Sequence, residues 1–172
     1  AIYESIIGVN EVISGYSGGF TSNPTYDIVN TQTTGHAETI EVVYNPKLIT
    51  FSQLVDVYFG TQNIEQINGQ GPDNGTQYRS IIFYQNENQK NIISKKINEI
   101  TQSLKVNVAA ESYPFLKFWK AEKYHQDFVG SENYWMHSYG WSKDFVERVQ
   151  SPYNGGVLLT NKSKHKILFK EY

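Results

Sequence analysis

The stretch that decides the fold is residues 39–60, TIEVVYNPKLITFSQLVDVYFG. Residues 39–44 alternate polar and apolar side chains, as a half-buried strand does, and Asn45-Pro46 ends the strand. Thr50 followed by Gln53 is a capping box, which predicts the start of a helix. That helix has an apolar face and ends at a glycine: Phe51, Leu54, Val55, Tyr58, Phe59 and Gly60. The stretch therefore predicts a strand followed by an amphipathic helix.

Similar patterns flank this stretch. Strands are predicted at 9–16 and 77–85 and a short last one at 106–110, and the chain opens with a helical pattern that ends at Gly8. Asn86 caps a further helix with a long apolar stripe: Ile92, Ile93, Ile97, Ile100 and Leu104. This order predicts an α+β sandwich with helices packed on one face of a mixed, mainly antiparallel sheet.

Composition narrows the function classes. The chain has 172 residues, which fit one domain over 1–172, with 15 Lys and Arg against 17 Asp and Glu. No basic stripe indicates a nucleic-acid partner, and no apolar run approaches the roughly 20 residues of a membrane span. No signal-peptide pattern opens the chain, so we expect a cytoplasmic protein. Cysteine is absent, which excludes a disulfide or a cysteine nucleophile among these residues.

Glu38 is the first candidate for chemistry, in Gly35-His36-Ala37-Glu38 at the start of the strand. A carboxyl that is desolvated there has a raised pKa and can donate a proton at neutral pH. The simpler interpretation is a strand residue that faces solvent.

A second candidate region is the glycine-rich segment 71–80, which carries Asp73 and Tyr78. No lysine follows in the P-loop position, so the segment is a weak phosphate site. An Asn-Gly turn followed by a core tyrosine is an equally good interpretation. His125 and Asp127 could form a base or metal pair, but a structural histidine is favoured because no metal-ligand spacing is present.

Taken together, five segments resemble the peptide methionine-(S)-sulfoxide reductases of the A type, in the family's order and with similar spacing. They are Ser14-Gly15-Tyr16-Ser17-Gly18-Gly19, Asn23-Pro24-Thr25-Tyr26, Thr34-Gly35-His36-Ala37-Glu38, Gly75-Thr76-Gln77-Tyr78-Arg79-Ser80 and Ala121-Glu122-Lys123-Tyr124-His125-Gln126-Asp127. The resemblance fades after about residue 130, in a long, irregular, aromatic-rich segment.

The resemblance implies a two-layer, ferredoxin-like fold and the reduction of methionine sulfoxide in peptides. A cysteine thiolate attacks the sulfoxide sulfur, methionine leaves, and thioredoxin or another thiol reduces the resulting sulfenic acid without a cofactor. Matched segment by segment, Glu38, Tyr26 and Tyr78 hold and protonate the sulfoxide oxygen, with Asp73 nearby. A sulfoxide oxygen is a strong acceptor, so phenols and a neutral carboxyl suit it.

The chain departs from the family in its nucleophile. The family carries a Gly-Cys-Phe-Trp segment at the start of the first helix, and we expect it ahead of Ala1. The cysteine that some members carry after Asn-Pro-Thr-Tyr is replaced near Asn30. The alternative is a cysteine-free module that binds oxidised methionine without reducing it. A glycosidase pair of Glu38 and Asp73 beside the aromatic segment is a weaker third hypothesis, because no second sugar-site signature is present.

Overall fold

The computed structural model describes residues 2–126 and 156–161. Three helices lie within this part: α1 (Tyr26–Asn30), α2 (Phe51–Gly60) and α3 (Glu87–Leu104). The strands are β1 (Val9–Ser17), β2 (Ala37–Tyr44), β3 (Gly69–Gln70), β4 (Asp73–Asn74), β5 (Ile81–Tyr84), β6 (Glu111–Pro114), β7 (Phe118–Lys120) and β8 (Gly156–Asn161). Single turns of 3-10 helix lie at Tyr3–Ser5, Thr76–Tyr78 and Lys123–His125.

The main sheet is mixed, with the order β6-β5-β8-β2-β1-β7, and β3 pairs with β4 in a small hairpin. β1 runs antiparallel to β2 and β7. β8 lies parallel between β2 and β5, and β5 is parallel to β6. The prediction of a mixed sheet is confirmed, but antiparallel pairing does not predominate within the described residues. The difference arises from β8, which enters the sheet centre from the far end of the chain and whose short apolar run carries no periodicity of its own.

The two longer helices contact one face of the sheet. Ile40, Val42 and Tyr44, which alternate along β2, form one buried cluster with Leu54 of α2 and Ile93 of α3. Burial of this apolar surface supplies the main stabilising free energy of the fold. The helix starts are as predicted: Thr50 and Gln53 form a capping box, and the Asn86 side chain accepts a hydrogen bond from Gln89 N at 3.0 Å.

The prediction of a helix that opens the chain and ends at Gly8 is wrong. Only a 3-10 turn forms at Tyr3–Ser5, and Ile6 is already extended. Gly8 then takes a positive φ of 101°, and a Cβ there would lie 2.8 Å from the Ile49 side chain. The extended Ile6 and the positive φ of Gly8, with the Ile49 side chain packed against it, turn the chain out of the 3-10 turn and into β1.

Two predicted strands are displaced. The strand predicted at 77–85 begins only at Ile81, because residues 76–78 form a 3-10 turn. The last strand, predicted at 106–110, lies instead at Glu111–Pro114. Ala109 N donates to Ile64 O at 2.7 Å, and this bond holds the predicted stretch against the loop after α2. Nonlocal hydrogen bonds thus override the local strand pattern.

Asn23-Pro24-Thr25 leads into the short helix α1, which begins at Tyr26. Val29 of α1 is fully buried and packs with Tyr16 and Ala121. Asp127, the basic tail 162–170 and most of the aromatic C-terminal segment lie outside the described residues. Within the described residues, no helix combines the length and the apolar character that crossing a membrane requires.

Candidate functional site

Glu38 is a buried carboxyl at the start of β2, directly opposite Tyr16 of β1. Its Oε1 atom is buried and has no hydrogen-bond partner. Burial raises the pKa of Glu38 to about 8, and the charges of Asp73 and Glu122 add to this effect. The side chain is therefore largely a neutral acid at pH 7, able to donate both a hydrogen bond and a proton.

Asp73 begins β4, in the small hairpin that precedes Tyr78. The hairpin turn needs a positive φ at Gly71, and Gly75 N donates to Asn68 O at 2.8 Å to close the loop. Asp73 is half-buried, and its charge raises the pKa values of Glu38 and Tyr78. The loop thus brings the predicted Asp73 close to both of these groups.

Tyr78 ends the 3-10 turn, half-buried, and its hydroxyl donates to Asn30 Oδ1 at 3.4 Å. Burial raises its pKa, and the neighbouring Glu38, Tyr26 and Asp73 raise it further. Tyr78 therefore remains a protonated phenol across the physiological range and can act as a hydrogen-bond donor. The other three side chains predicted as site residues thus lie within electrostatic reach of Tyr78.

Asn30 ends α1 and supports this side of the site. Its Oδ1 atom also lies 3.3 Å from Gln77 Nε2, so one amide oxygen faces two donors from the 3-10 turn. At 3.3–3.4 Å these bonds are long, which leaves the Tyr78 hydroxyl available to a stronger acceptor.

Tyr26 is the first residue of α1, and its ring lies 4.6 Å from that of His125 at a 42° tilt. Its backbone N–H donates to Glu122 Oε1 at 2.9 Å. The other carboxylate oxygen of Glu122 accepts from the hydroxyl of Tyr16, also at 2.9 Å. Glu122 thus joins the start of α1 to the partner of Glu38 in β1.

His36 and Arg79 fix the backbone around these side chains. His36 is buried, accepts from Gly19 N at 3.1 Å through Nδ1, and places Nε2 2.9 Å from Thr21 O. Arg79 donates to Gly35 O at 2.9 Å and to Thr76 O at 2.8 Å. Arg79 therefore ties the segment that leads into Glu38 to the turn that carries Tyr78.

His125 is buried and stacks between Tyr26 and Tyr124, with ring centroids 4.6 and 4.4 Å away. Burial lowers its pKa against the opposing charge of Glu122. These contacts agree with the structural role favoured from the sequence. Among the described residues, no group of His, Asp and Glu is arranged to hold a metal ion.

The arrangement suits an oxygen acceptor. A neutral carboxyl and two phenols are all hydrogen-bond donors, and the low-polarity surroundings of Glu38 strengthen such bonds. Sequence reasoning missed the role of Glu122, because its segment was considered only for His125 and Asp127. It also treated Asn30 only as the replacement of a cysteine, whereas its amide contacts Tyr78.

Comparison with known proteins is consistent with this geometry. The family model described as peptide methionine sulfoxide reductase matches residues 1–154. A peptide methionine sulfoxide reductase MsrA of Saccharolobus solfataricus is 41% identical over 134 residues, which cover 78% of this chain and 76% of that protein. The MsrA of Nautilia profundicola is 43% identical over 128 residues, 74% of this chain and 73% of that protein.

Solved structures of methionine sulfoxide reductases also resemble this chain. The reduced form of Mxr1 from Saccharomyces cerevisiae matches with a TM-score of 0.70 and 30% identity, over 76% of this chain and 77% of that chain. Methionine sulfoxide reductase A of Corynebacterium diphtheriae matches with a TM-score of 0.68 and 29% identity, over 76% and 68% of the two chains. The chain therefore belongs to the peptide methionine sulfoxide reductase family, of the MsrA type.

Proposed function

We propose that this protein serves the reduction of peptide-bound methionine (S)-sulfoxide in the repair of oxidised proteins, and that Glu38 is its proton donor. The observation that carries the proposal is the buried carboxyl of Glu38, neutral at pH 7 and with one oxygen unpartnered. Family membership supplies the reaction class. Tyr26 and Tyr78 donate hydrogen bonds to the sulfoxide oxygen, and Asp73 adds to the effect of burial in raising the pKa of Glu38.

In this reaction a thiolate forms a bond to the sulfoxide sulfur, and Glu38 transfers its proton to the oxygen as negative charge develops there. The sulfur–oxygen bond of the sulfoxide breaks as methionine leaves, and the oxygen stays on the attacking cysteine as a sulfenic acid. One thiol condenses with the sulfenic acid to give a disulfide and water, and a second thiol reduces the disulfide and frees the cysteine. The 172 residues contain no cysteine, so we place the nucleophile outside them, in the Gly-Cys-Phe-Trp segment expected ahead of Ala1. Thioredoxin or another thiol is the proposed reductant, with no further cofactor.

We propose that residues 1–172 form one domain with a two-layer, ferredoxin-like arrangement. Its support is that α2 and α3 contact one face of the sheet in a single cluster. We further propose a cytoplasmic location, from the sequence pattern alone.

A second candidate function is a module that binds oxidised methionine without reducing it. The absence of cysteine from the 172 residues favours it, while the oxygen-binding groups Tyr26, Glu38 and Tyr78 are all present. Intact mass separates the two functions. A protein isolated from its source with a mass above 19.7 kDa, extended at the N-terminus by a cysteine-containing segment, supports the reductase. A match to 19.7 kDa supports the binding module.

The oxygen site is tested by calorimetric titration of the 172-residue chain with a peptide containing methionine (S)-sulfoxide. We expect saturable binding that weakens as the pH rises through about 8, because Glu38 then loses the proton it donates. In Glu38→Gln the amide still donates a hydrogen bond but does not titrate, so binding persists and its dependence on pH near 8 disappears. Glu87→Gln, at an exposed position on α3, is the matched control and keeps the wild-type profile.

Equal affinity for the reduced methionine peptide, or the same pH profile in Glu38→Gln, contradicts the assignment of Glu38. Turnover is measured separately with dithiothreitol as the reductant. We expect none from the 172 residues alone, because hydroxyls and carboxylates do not form the sulfur intermediate that a thiolate forms. Saturable reduction by this chain contradicts a nucleophile located outside it.

A further inference from the structure

The segment from Ala121 to Gln126 follows β7 and is fastened to the middle of β1. Ala121 N donates to Ser14 O at 2.9 Å. The amide of Gln126 accepts from Ser14 N at 3.0 Å and donates to Ser14 O and Ala121 O, each at 3.0 Å. Four hydrogen bonds thus fix the ends of a six-residue segment, and Glu122 lies between them.

The Glu122 carboxylate uses both oxygens. Oε2 accepts from the hydroxyl of Tyr16, which is fully buried, and Oε1 accepts from the backbone N–H of Tyr26, each at 2.9 Å. Thr25, the residue before α1, makes no side-chain capping bond of its own. The bond to Tyr26 N is charge-assisted, which makes it short and directional. Glu122 therefore provides the hydrogen bond that a local cap would otherwise supply at Tyr26.

These bonds act on the ionisation of Glu122. Burial by itself raises the pKa of Glu122. The hydrogen bonds from Tyr26 N, from its own backbone N–H and from the Tyr16 hydroxyl, together with the charge of His125, outweigh burial, and the net pKa is lowered. The carboxylate is thus charged at neutral pH. Burial is the main cause of the raised pKa of Glu38, and the carboxylates of Asp73 and Glu122 raise it further. The Tyr78 phenol also interacts electrostatically with Glu38.

We propose that Glu122 is a positioning residue of the sulfoxide site: its carboxylate ties Tyr26, at the start of α1, to Tyr16, the residue paired with Glu38 across β1 and β2. This inference rests on the proposed function, because it assigns Tyr26 and Glu38 to the oxygen-binding groups. In the segment Ala121–Gln126, the two end residues anchor the backbone to β1, and Glu122 orients the site. His125 completes the contact by packing its ring on Tyr26.

The test compares Glu122→Gln with wild type in the 172-residue chain. Glutamine keeps the shape and one acceptor oxygen but removes the charge and one of the two bonds. In wild type, we expect the Tyr26 amide proton to resonate downfield and to move on acidification with a midpoint below 4.5, as Glu122 is protonated. In Glu122→Gln this response disappears, and the Glu38 carboxyl, followed by carbon-13 labelling, titrates at a lower pH than in wild type.

Affinity for the methionine (S)-sulfoxide peptide is the third readout. We expect Glu122→Gln to weaken it about three- to tenfold, as loss of one strong hydrogen bond does. Tyr16→Phe removes one bond and keeps the charge, so the Tyr26 amide response persists in that variant. Glu87→Gln changes none of the three readouts.

A Tyr26 amide that responds to acid identically in wild type and Glu122→Gln overturns the inference. So does a folded Glu122→Gln with the wild-type Glu38 titration and wild-type affinity. The two spectroscopic readouts do not need the peptide. A wild-type chain that fails to bind the sulfoxide but keeps both signals therefore contradicts the proposed oxygen site and supports the positioning by Glu122.

Discussion

Tyr16 and Glu38 are paired directly across β1 and β2, at the end of β1 just before Gly18 and Gly19. In an antiparallel pair, opposite residues project from the same face of the sheet, so the two side chains lie next to each other. The hydroxyl of Tyr16 is held by Glu122, whereas Oε1 of Glu38 has no hydrogen-bond partner. The sheet therefore carries one satisfied and one unsatisfied polar group side by side, and the unsatisfied one is available to a ligand.

Glu38 should make the folded state less stable as the pH rises. Its pKa is about 8 in the folded chain and near 4.5 in the unfolded chain, so between these values only the folded state holds the proton. The free energy of unfolding thus falls by about 5 kcal/mol, as the contribution of Glu38, between pH 4.5 and 8. Above pH 8 this contribution no longer changes. Urea unfolding of wild type and Glu38→Gln at several pH values measures how the free energy of unfolding depends on pH. An identical slope in the two proteins contradicts the prediction, and Glu87→Gln should keep the wild-type slope.

Tyr26 and Tyr78 should act together on the sulfoxide oxygen. We expect Tyr26→Phe and Tyr78→Phe each to weaken binding of the methionine (S)-sulfoxide peptide by about 1 kcal/mol. The double variant should lose more than the sum, because each remaining phenol partly compensates for the other. Calorimetry on the four proteins of this cycle gives the coupling free energy. Tyr113→Phe, at an exposed position on β6, serves as the control.

Strictly additive losses, or no losses, contradict a shared oxygen. If the two hydroxyls serve only packing and the bond to Asn30, the variants keep their affinity and change only their thermal stability. Melting temperatures of the same proteins distinguish these cases.

Gly15 should not tolerate a side chain, whereas Gly60 should. A Cβ on Gly15 would lie 2.3 Å from the Trp119 carbonyl oxygen, and backbone in the neighbouring strand cannot move without disrupting the β1–β7 pairing. We expect Gly15→Ala to cost about 2–3 kcal/mol of unfolding free energy. Gly60 ends α2 with no atom within 4 Å of such a Cβ, so Gly60→Ala should stabilise by about 0.5–1 kcal/mol. Chemical denaturation that ranks the two variants equally contradicts the close approach of β7.

Arg79 should stabilise the fold through its two carbonyl contacts. Its side chain is 15% exposed and donates to Gly35 O and Thr76 O, with Glu111 3.5 Å away. Arg79→Ala should lower the free energy of unfolding by about 2–3 kcal/mol, because both carbonyls lose a charged donor. Arg79→Lys should recover less than half, since an ammonium does not span the two carbonyls as the planar guanidinium does.

The exposed Lys95, paired with Glu99, provides the comparison for Arg79. Its side chain is 79% exposed, and Lys95→Ala should change the free energy of unfolding by less than about 0.5 kcal/mol. Equal stability of Arg79→Ala and Lys95→Ala contradicts a structural role for the guanidinium.

Local features of this protein could be predicted from sequence because the interactions that form them are close in the chain. Thr50 and Gln53 predict the start of α2, and Asn86 predicts the start of α3, since a cap acts within one helical turn. The alternation of residues 39–44 likewise predicts β2. The placement of Glu38 at the start of an apolar strand also indicated that its carboxyl could be desolvated.

Local patterns failed wherever a distant segment decided the outcome. The 3-10 turn before β5 places Tyr78 beside Asn30, which is 48 residues away in the chain. Residues 106–110, predicted to be a strand, are not one, and Ala109 N donates a hydrogen bond to Ile64 O. β8 lies between β2 and β5, although nothing in its short apolar run specifies those neighbours.

By itself, the sequence determined the elements with strong caps and periodicity, and the set of residue types that the site uses. Only the tertiary structure decided the sheet order, the unpartnered oxygen of Glu38 and the link through Glu122. Glu122 lies 106 residues from Tyr16 and 96 from Tyr26, and no periodic pattern extends over such distances. Such contacts depend on strand register and on the packing of the whole chain, which bring together residues that no local sequence pattern relates.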